Sequence, residues 1–141
     1  MSDTQLYKAQ LLDHFKKPRN KVLGELTVMQ VVRRGSNPRC GDEIEVGLSL
    51  KDNLIDLIQF RGRGCSVCIA SASMMTEFIT GKPVEHAKII AIQMQRWIEG
   101  EDVNIPSILK PLKAVRHHPA RKKCVMLAWH ALIEGLEESN V

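Results

Sequence analysis

An α+β fold, a three-stranded antiparallel sheet with helices packed on one face, is the class that this chain of 141 residues predicts. Three observations carry the prediction. Up to Phe60 the central apolar residues alternate at period 2, as half-buried strands do. From Ser66 to Leu136 they recur at helical spacing instead. Strands grouped ahead of helices, rather than alternating with them, form segregated layers and not a parallel βαβ sheet.

Leu6, Ala9, Leu11, Leu12 and Phe15 fall at helical spacing, so Thr4 to Phe15 is expected to be a short amphipathic helix with Asp3 or Thr4 as its cap, stopped by Pro18. Lys16 to Gly24 reads as a basic loop, and Leu26 to Val32, rich in β-branched and apolar residues, as the first strand. Ile44, Val46, Leu48 and Leu50 alternate with Glu43, Glu45, Gly47 and Ser49, the pattern of a strand with one buried face. Lys51-Asp52-Asn53 is turn chemistry, and Leu54 to Phe60 is the third strand of an antiparallel meander. Two glycines, Gly62 and Gly64, end that strand. Ser66 then opens a helix that runs through Thr80 to a C-cap at Gly81. Lys82 to Glu99 is a further helix with Pro83 in its first turn. After the polar break Gly100 to Asn104, Pro106 and Pro111 limit Ile105 to Leu112 to a short helix. Ala120 to Leu136 is the last, with Cys124, Leu127, Ala128, Ala131, Leu132 and Gly135 on one stripe. No repeat, low-complexity segment or linker interrupts residues 1–141, which read as a single domain.

Composition narrows the function. Apolar residues make up 44% and charged residues 26%, ordinary for a globular chain. Residues Met1 to Gln10 lack the apolar core of a signal peptide, and no window approaches the roughly 18 apolar residues of a membrane helix. A cytoplasmic protein without a membrane partner is expected. In a reducing compartment its four cysteines read as ligands, nucleophiles or buried thiols rather than disulfides. Basic residues cluster at Lys16 to Lys21, at Arg33, Arg34 and Arg39, and from Lys110 to Lys123. With a net charge of only +4 and 4% aromatics, these clusters read as solvated faces or a docking surface for an acidic protein, not as a nucleic-acid interface.

Three cysteines sit near the ends of three different elements. Asn37-Pro38-Arg39-Cys40-Gly41-Asp42 must turn, because Pro38 fixes its own φ and Gly41 permits a dihedral that a Cβ resists. It presents a thiol and a carboxylate together. Cys65 falls at a helix N-terminus, where the orphan N–H groups favour thiolate over thiol. Cys124 lies in the first turn or two of the last helix. Cys40, Asp42, Cys65 and Cys124 together form a donor set suited to tetrahedral zinc. Each cysteine taken singly, Cys124 above all, also reads as a small buried hydrophobe. Cys65-Ser66-Val67-Cys68 is a C-x2-C pair, but no second pair completes a zinc ribbon, and the order of elements is not that of a thioredoxin-like dithiol. His14, His86 and His130 lie on helices without a partner at ligand spacing and read as structural. His117-His118, in a basic loop, read as exposed.

Four stretches carry a family resemblance. They are Asp13-His14-Phe15-Lys16-Lys17-Pro18-Arg19-Asn20; Asn37 to Asp42; Gly62-Arg63-Gly64-Cys65-Ser66 followed by Ala70-Ser71-Ala72-Ser73-Met74-Met75; and Pro119-Ala120-Arg121-Lys122-Lys123-Cys124. In this order, across nearly the whole chain, they resemble the U-type iron–sulfur cluster assembly family, which includes IscU, SufU and the N-terminal part of NifU. Two features bring the resemblance nearest the SufU branch. Lys123 stands where IscU scaffolds carry a histidine before the third cysteine, and the 58 residues between Cys65 and Cys124 are more than IscU has, the extra length falling around Ile98 to Lys113.

The resemblance implies a SufU/IscU-like α+β fold with Zn2+ held by Cys40, Asp42, Cys65 and Cys124. It also implies a partner, a pyridoxal-phosphate cysteine desulfurase of the SufS type. One of its histidines would replace a cysteine ligand and release Cys40 to accept persulfide sulfur. The chain would then be a zinc-dependent sulfurtransferase acting with and stimulating that desulfurase, ahead of downstream iron–sulfur assembly proteins. The alternative is a scaffold that assembles a [2Fe–2S] cluster on the same residues and transfers it. A third reading, a structural zinc module that only binds partners, shares the ligand set. Cys68 departs from the family pattern and reads as a buried thiol, with substitute ligand or persulfide-resolving thiol as its functional alternatives.

Overall fold

The computed structural model describes residues 2–26, 29–37 and 41–138. The helix α1, Asp3–Lys16, begins at Ser2, whose hydroxyl accepts from the Gln5 N–H while the Gln5 side chain accepts from the Ser2 N–H. This reciprocal pair satisfies two orphan donors, so the cap is Ser2 and not Asp3 or Thr4. The strands are β1, Val31–Asn37; β2, Asp42–Lys51; and β3, Leu54–Arg63. They form an antiparallel sheet in the order β1-β2-β3, with Asn37 opposite Asp42, Gly35 opposite Ile44 and Val46 opposite Phe60. Asp52 and Asn53 turn the second hairpin with φ of 53° and 64°, the left-handed pair that matches strand twist.

The first strand is displaced from its expected position. Thr27 and Val28 lie outside the described residues, but Leu26 and Met29 are buried and not part of the ladder. They cover the sheet's second face at Gly47, where a Cβ would come within 2.6 Å of Met29 Cγ. The apolar run from Leu26 is thus used as a cover, and β1 begins only at Val31. Periodicity marks burial; it does not say whether a buried segment is also hydrogen-bonded to a neighbour.

Four helical elements follow: α2, Ser66–Ile79; α3, Val84–Ile98, with Pro83 as its N-cap; a 3-10 helix, Ser107–Ala114, that contains Pro111; and α4, Pro119–Glu138. As the alternation predicts, Ile44, Val46 and Leu48 point into the core, where α4 lies across β1 and β2 and α2 packs beside it. α1 and the 3-10 helix cover α2, while α3 packs on α4. Trp129 on α4 is fully buried, and its Nε1–H donates to Ser71 Oγ at 3.2 Å. The Ser71 hydroxyl donates in turn to the Val125 carbonyl at 2.7 Å. This network holds α2 and α4 in one register, and with them the cysteines near their N-termini. Among the described residues no helix is long and apolar enough to cross a membrane.

Candidate metal centre

Asp42, Cys65 and Cys124 come together. One ligand atom from each, a carboxylate oxygen and two sulfurs, lies within 4.8 Å of the others. Asp42 is not in the loop, as the sequence suggested, but is the first residue of β2 and only 3% exposed. Pairing with Asn37 fixes its backbone. Its Oδ1 accepts the Cys65 N–H at 3.1 Å, and its Oδ2 accepts the Cys124 S–H at 3.4 Å. Cys65 is the half-buried N-cap of α2, with φ −65° and ψ 167°, and its side chain makes no capping bond. The thiol is therefore left to face the carboxylate. Cys124, 2% exposed, sits in the second turn of α4.

Two glycines allow this convergence. Gly62 has φ +130°, and a Cβ there would lie 2.0 Å from the Glu43 carbonyl oxygen on β2. At Gly64 a Cβ would stand 3.0 Å from Cys68 Sγ and 3.2 Å from Asp42 Oδ1. Only a residue without a side chain lets β3 turn into α2 so close to Asp42.

Cys40 lies outside the described residues; in sequence it falls two residues before Asp42, between β1 and β2. Cys68 is fully buried in the first turn of α2 and is not part of the Asp42–Cys65–Cys124 group. Burial, then the charges of Asp42, Cys65 and Cys124, pushes its thiol far above the ordinary range. Such a thiol is inert at neutral pH, in accord with its reading as a packed side chain. His117 and His118 are exposed and do not join the group. His14 is buried, with Nδ1 2.8 Å from Ser73 Oγ, a structural contact between α1 and α2.

Arg121 is the site residue that sequence reasoning missed. It was visible only as one of a cluster of cations, yet it lies three residues before Cys124, on the same side of α4. Its exposed guanidinium interacts with both Cys65 and Cys124, and the Cys65 charge, foremost, raises its pKa above the ordinary value. The two sulfurs thus have a guanidinium at their solvent side. Burial pushes the Cys124 thiol up to about 12, helped by its hydrogen bond and charge interaction with Cys65 and then by Asp42. Three groups that would all be anionic, two of them buried, are stable together only with protons or a cation between them.

One donor pair has the spacing of a tetrahedral zinc site. Tetrahedral coordination at ordinary Zn–S and Zn–O lengths separates a sulfur from a carboxylate oxygen by roughly 3.6 Å. Cys124 Sγ and Asp42 Oδ2 are 3.4 Å apart. Three described donors leave one tetrahedral position for a fourth, and Cys40 is close by in sequence.

The family model described as the NifU-like N terminal domain matches residues 6–138. The chain is 39% identical over 140 residues to the zinc-dependent sulfurtransferase SufU of Bacillus subtilis, covering 96% of this chain and 92% of that one. It is 35% identical over 137 residues to the iron–sulfur cluster assembly scaffold protein IscU of Streptococcus pyogenes, covering 95% and 84%. A crystal structure described as an iron–sulfur cluster assembly scaffold for the SUF system of Fervidobacterium islandicum superposes with a TM-score of 0.79 at 26% identity, covering 96% of this chain and 99% of that one. With one family model spanning almost all of its length, the chain belongs to the NifU-like N-terminal domain family, the U-type proteins of iron–sulfur cluster assembly.

Proposed function

We propose that the protein is a zinc-dependent sulfur-transfer protein of iron–sulfur cluster assembly, in which Cys40, Asp42, Cys65 and Cys124 hold the ion and Cys40 accepts sulfur from a SufS-type cysteine desulfurase in the cytoplasm. The observation that carries the reading is the convergence of a buried carboxylate and two cysteine sulfurs within 4.8 Å, from three separate elements. Bound zinc supplies the positive charge that keeps the thiols ionised at neutral pH.

The chain's own residues do the rest. Cys65 and Cys124 are held by helices and Asp42 by a paired strand, so these three remain in place. Cys40 falls in sequence between β1 and β2, outside both helices. Its thiolate attacks the outer sulfur of the desulfurase persulfide. A new S–S bond forms on Cys40, the desulfurase S–S bond breaks, and the electron pair leaves with the desulfurase cysteine as thiolate. No net oxidation occurs. Arg121 keeps a positive charge beside the sulfurs throughout. Next to Cys65, Leu11, Leu12, Phe15, Ser66, Val67 and Val115 line an apolar groove suited to a docked partner. Lys123, in place of the histidine that IscU scaffolds carry, favours transfer over housing a cluster.

The test combines metal analysis with persulfide mapping. The isolated protein should be colourless with about one zinc per chain; after incubation with a pyridoxal-phosphate cysteine desulfurase and cysteine, mass spectrometry should find the persulfide on Cys40. Cys40→Ser should remain folded and abolish stimulation of the desulfurase. A stable, visibly absorbing cluster that transfers intact to an apoprotein would overturn this reading in favour of the scaffold. Unfolding of Cys40→Ser would favour a structural zinc module.

A further inference from the structure

We propose that α3 pairs antiparallel with α3 of a second copy of this chain through the outward stripe Glu85, Ile89, Ile92 and Arg96. The helix already has an inner face, formed by Val84, Ala87, Ala91, Met94 and Ile98, each 1% exposed or less. At about 100° per residue, the four stripe residues are centred roughly 150° from that face. An outward face on a helix covered on its inner side is ordinarily polar. Here it carries two isoleucines 54% and 55% exposed, one turn apart.

The spacing specifies the occupant. Positions 85, 89, 92 and 96 follow steps of four, three and four, the a/d seam of a coiled coil. The stripe is also self-complementary. The midpoint between Ile89 and Ile92 coincides with that between Glu85 and Arg96, and the two ends carry opposite charges. When two such helices run antiparallel about a two-fold axis, Ile89 meets the partner's Ile92, and Glu85 meets the partner's Arg96 at both ends. A parallel arrangement would instead stack Glu85 on Glu85 and Arg96 on Arg96. Within one chain Glu85 pairs with Lys88 at 3.7 Å and Arg96 with Glu101 at 3.1 Å, and all but Lys88 of these side chains are at least half exposed. Such pairs are weak and exchange partners at little cost. Four stripe residues bury well below the roughly 800 Å² per partner of a standard interface. The dimer is therefore weak and forms with rising concentration.

Sedimentation equilibrium on the full zinc-loaded chain, from micromolar to near-millimolar concentration, tests the proposal. The average mass should rise from one chain toward two. Glu85→Arg and Arg96→Glu, each placing like charges at both ends, should each weaken association about tenfold, because every reversal alters two symmetry-related contacts. Mixing these two variants should restore it, since every Arg then faces a Glu, and the double variant E85R/R96E should self-associate like the wild type. The four positions are exposed, so circular dichroism should show the native fold throughout; Glu85→Gln and Arg96→Gln serve if a reversal unfolds. A single-chain mass at every concentration overturns the proposal. So does association that ignores the reversals, or a mixture that fails to regain it. Zinc content, which depends on none of these residues, separates failure of this inference from failure of the proposed function.

Discussion

Asp42→Asn isolates the metal contribution of one group. The amide has the shape of the carboxylate and still offers an oxygen to the Cys65 N–H, now accepted at 3.1 Å. Its NH2 faces Cys124, where Oδ2 stands 3.4 Å from the sulfur. With a chelator present, the fold should therefore keep its stability to within about 1 kcal/mol. Zinc affinity should not survive as well. Even outer-shell partners of a metal ligand are worth about 10- to 100-fold in affinity, and a direct anionic donor at least as much. At saturating zinc that loss reduces the stabilisation of the folded state by roughly 1.4–2.8 kcal/mol. For 141 residues the unfolding entropy is about 0.3 kcal/mol/K, so the zinc-induced rise in Tm should be about 5–9 °C smaller in the variant. Differential scanning calorimetry of both proteins, with zinc and with chelator, measures this directly. Equal zinc shifts in the two proteins would refute Asp42 as a ligand, whatever happens to activity.

Other outcomes follow from the same geometry. Gly62→Ala combines a disfavoured φ of +130° with a Cβ 2.0 Å from the Glu43 carbonyl oxygen, so urea unfolding should show a loss of about 3 kcal/mol or more. Cys68→Ala should lower stability by about 1 kcal/mol through the small void it leaves, while zinc stoichiometry and persulfide on Cys40 stay unchanged; a fall in bound zinc would make Cys68 a ligand. Arg121→Gln removes the cation beside the sulfurs, and thiolate absorbance in chelator-treated protein should show Cys124 ionising at higher pH than in the wild type. Burial first, and then the Arg19 charge, hold the His14 pKa below its ordinary 6.5. Because the unfolded chain takes up that proton first, stability should fall as pH drops below about 6.5, and His14→Gln should flatten the decline.

Much of the site could be read locally. Cys65 needed only a glycine-rich strand end followed by a small-residue helix, whereas Cys124, which alone reads as a buried hydrophobe on an apolar stripe, entered the donor set only beside the other three residues. Asp42 was assigned as a donor but to the wrong element, since a residue flanking a turn can still pair across it. Arg121 was hidden among cations because its distinction is a spatial one. The Leu26 segment was mistaken for a strand for a related reason: its apolar pattern records burial, and covering a sheet buries side chains as well as joining one does.

The sequence by itself determined the class of fold, the period and order of its elements, and the residue types that can hold a soft cation. Those properties depend on spacing within single segments, which a linear pattern carries in full. Only the tertiary structure decided that Asp42, Cys65 and Cys124 meet within 4.8 Å, that Cys68 does not join them, and that Arg121 faces the same sulfurs. These depend on the register of β1 with β2, the close turn at Gly62 and Gly64, and the Ser71–Trp129 contact between α2 and α4. Each is a packing relation between residues distant in the chain, and its energy exists only once both sides are in place.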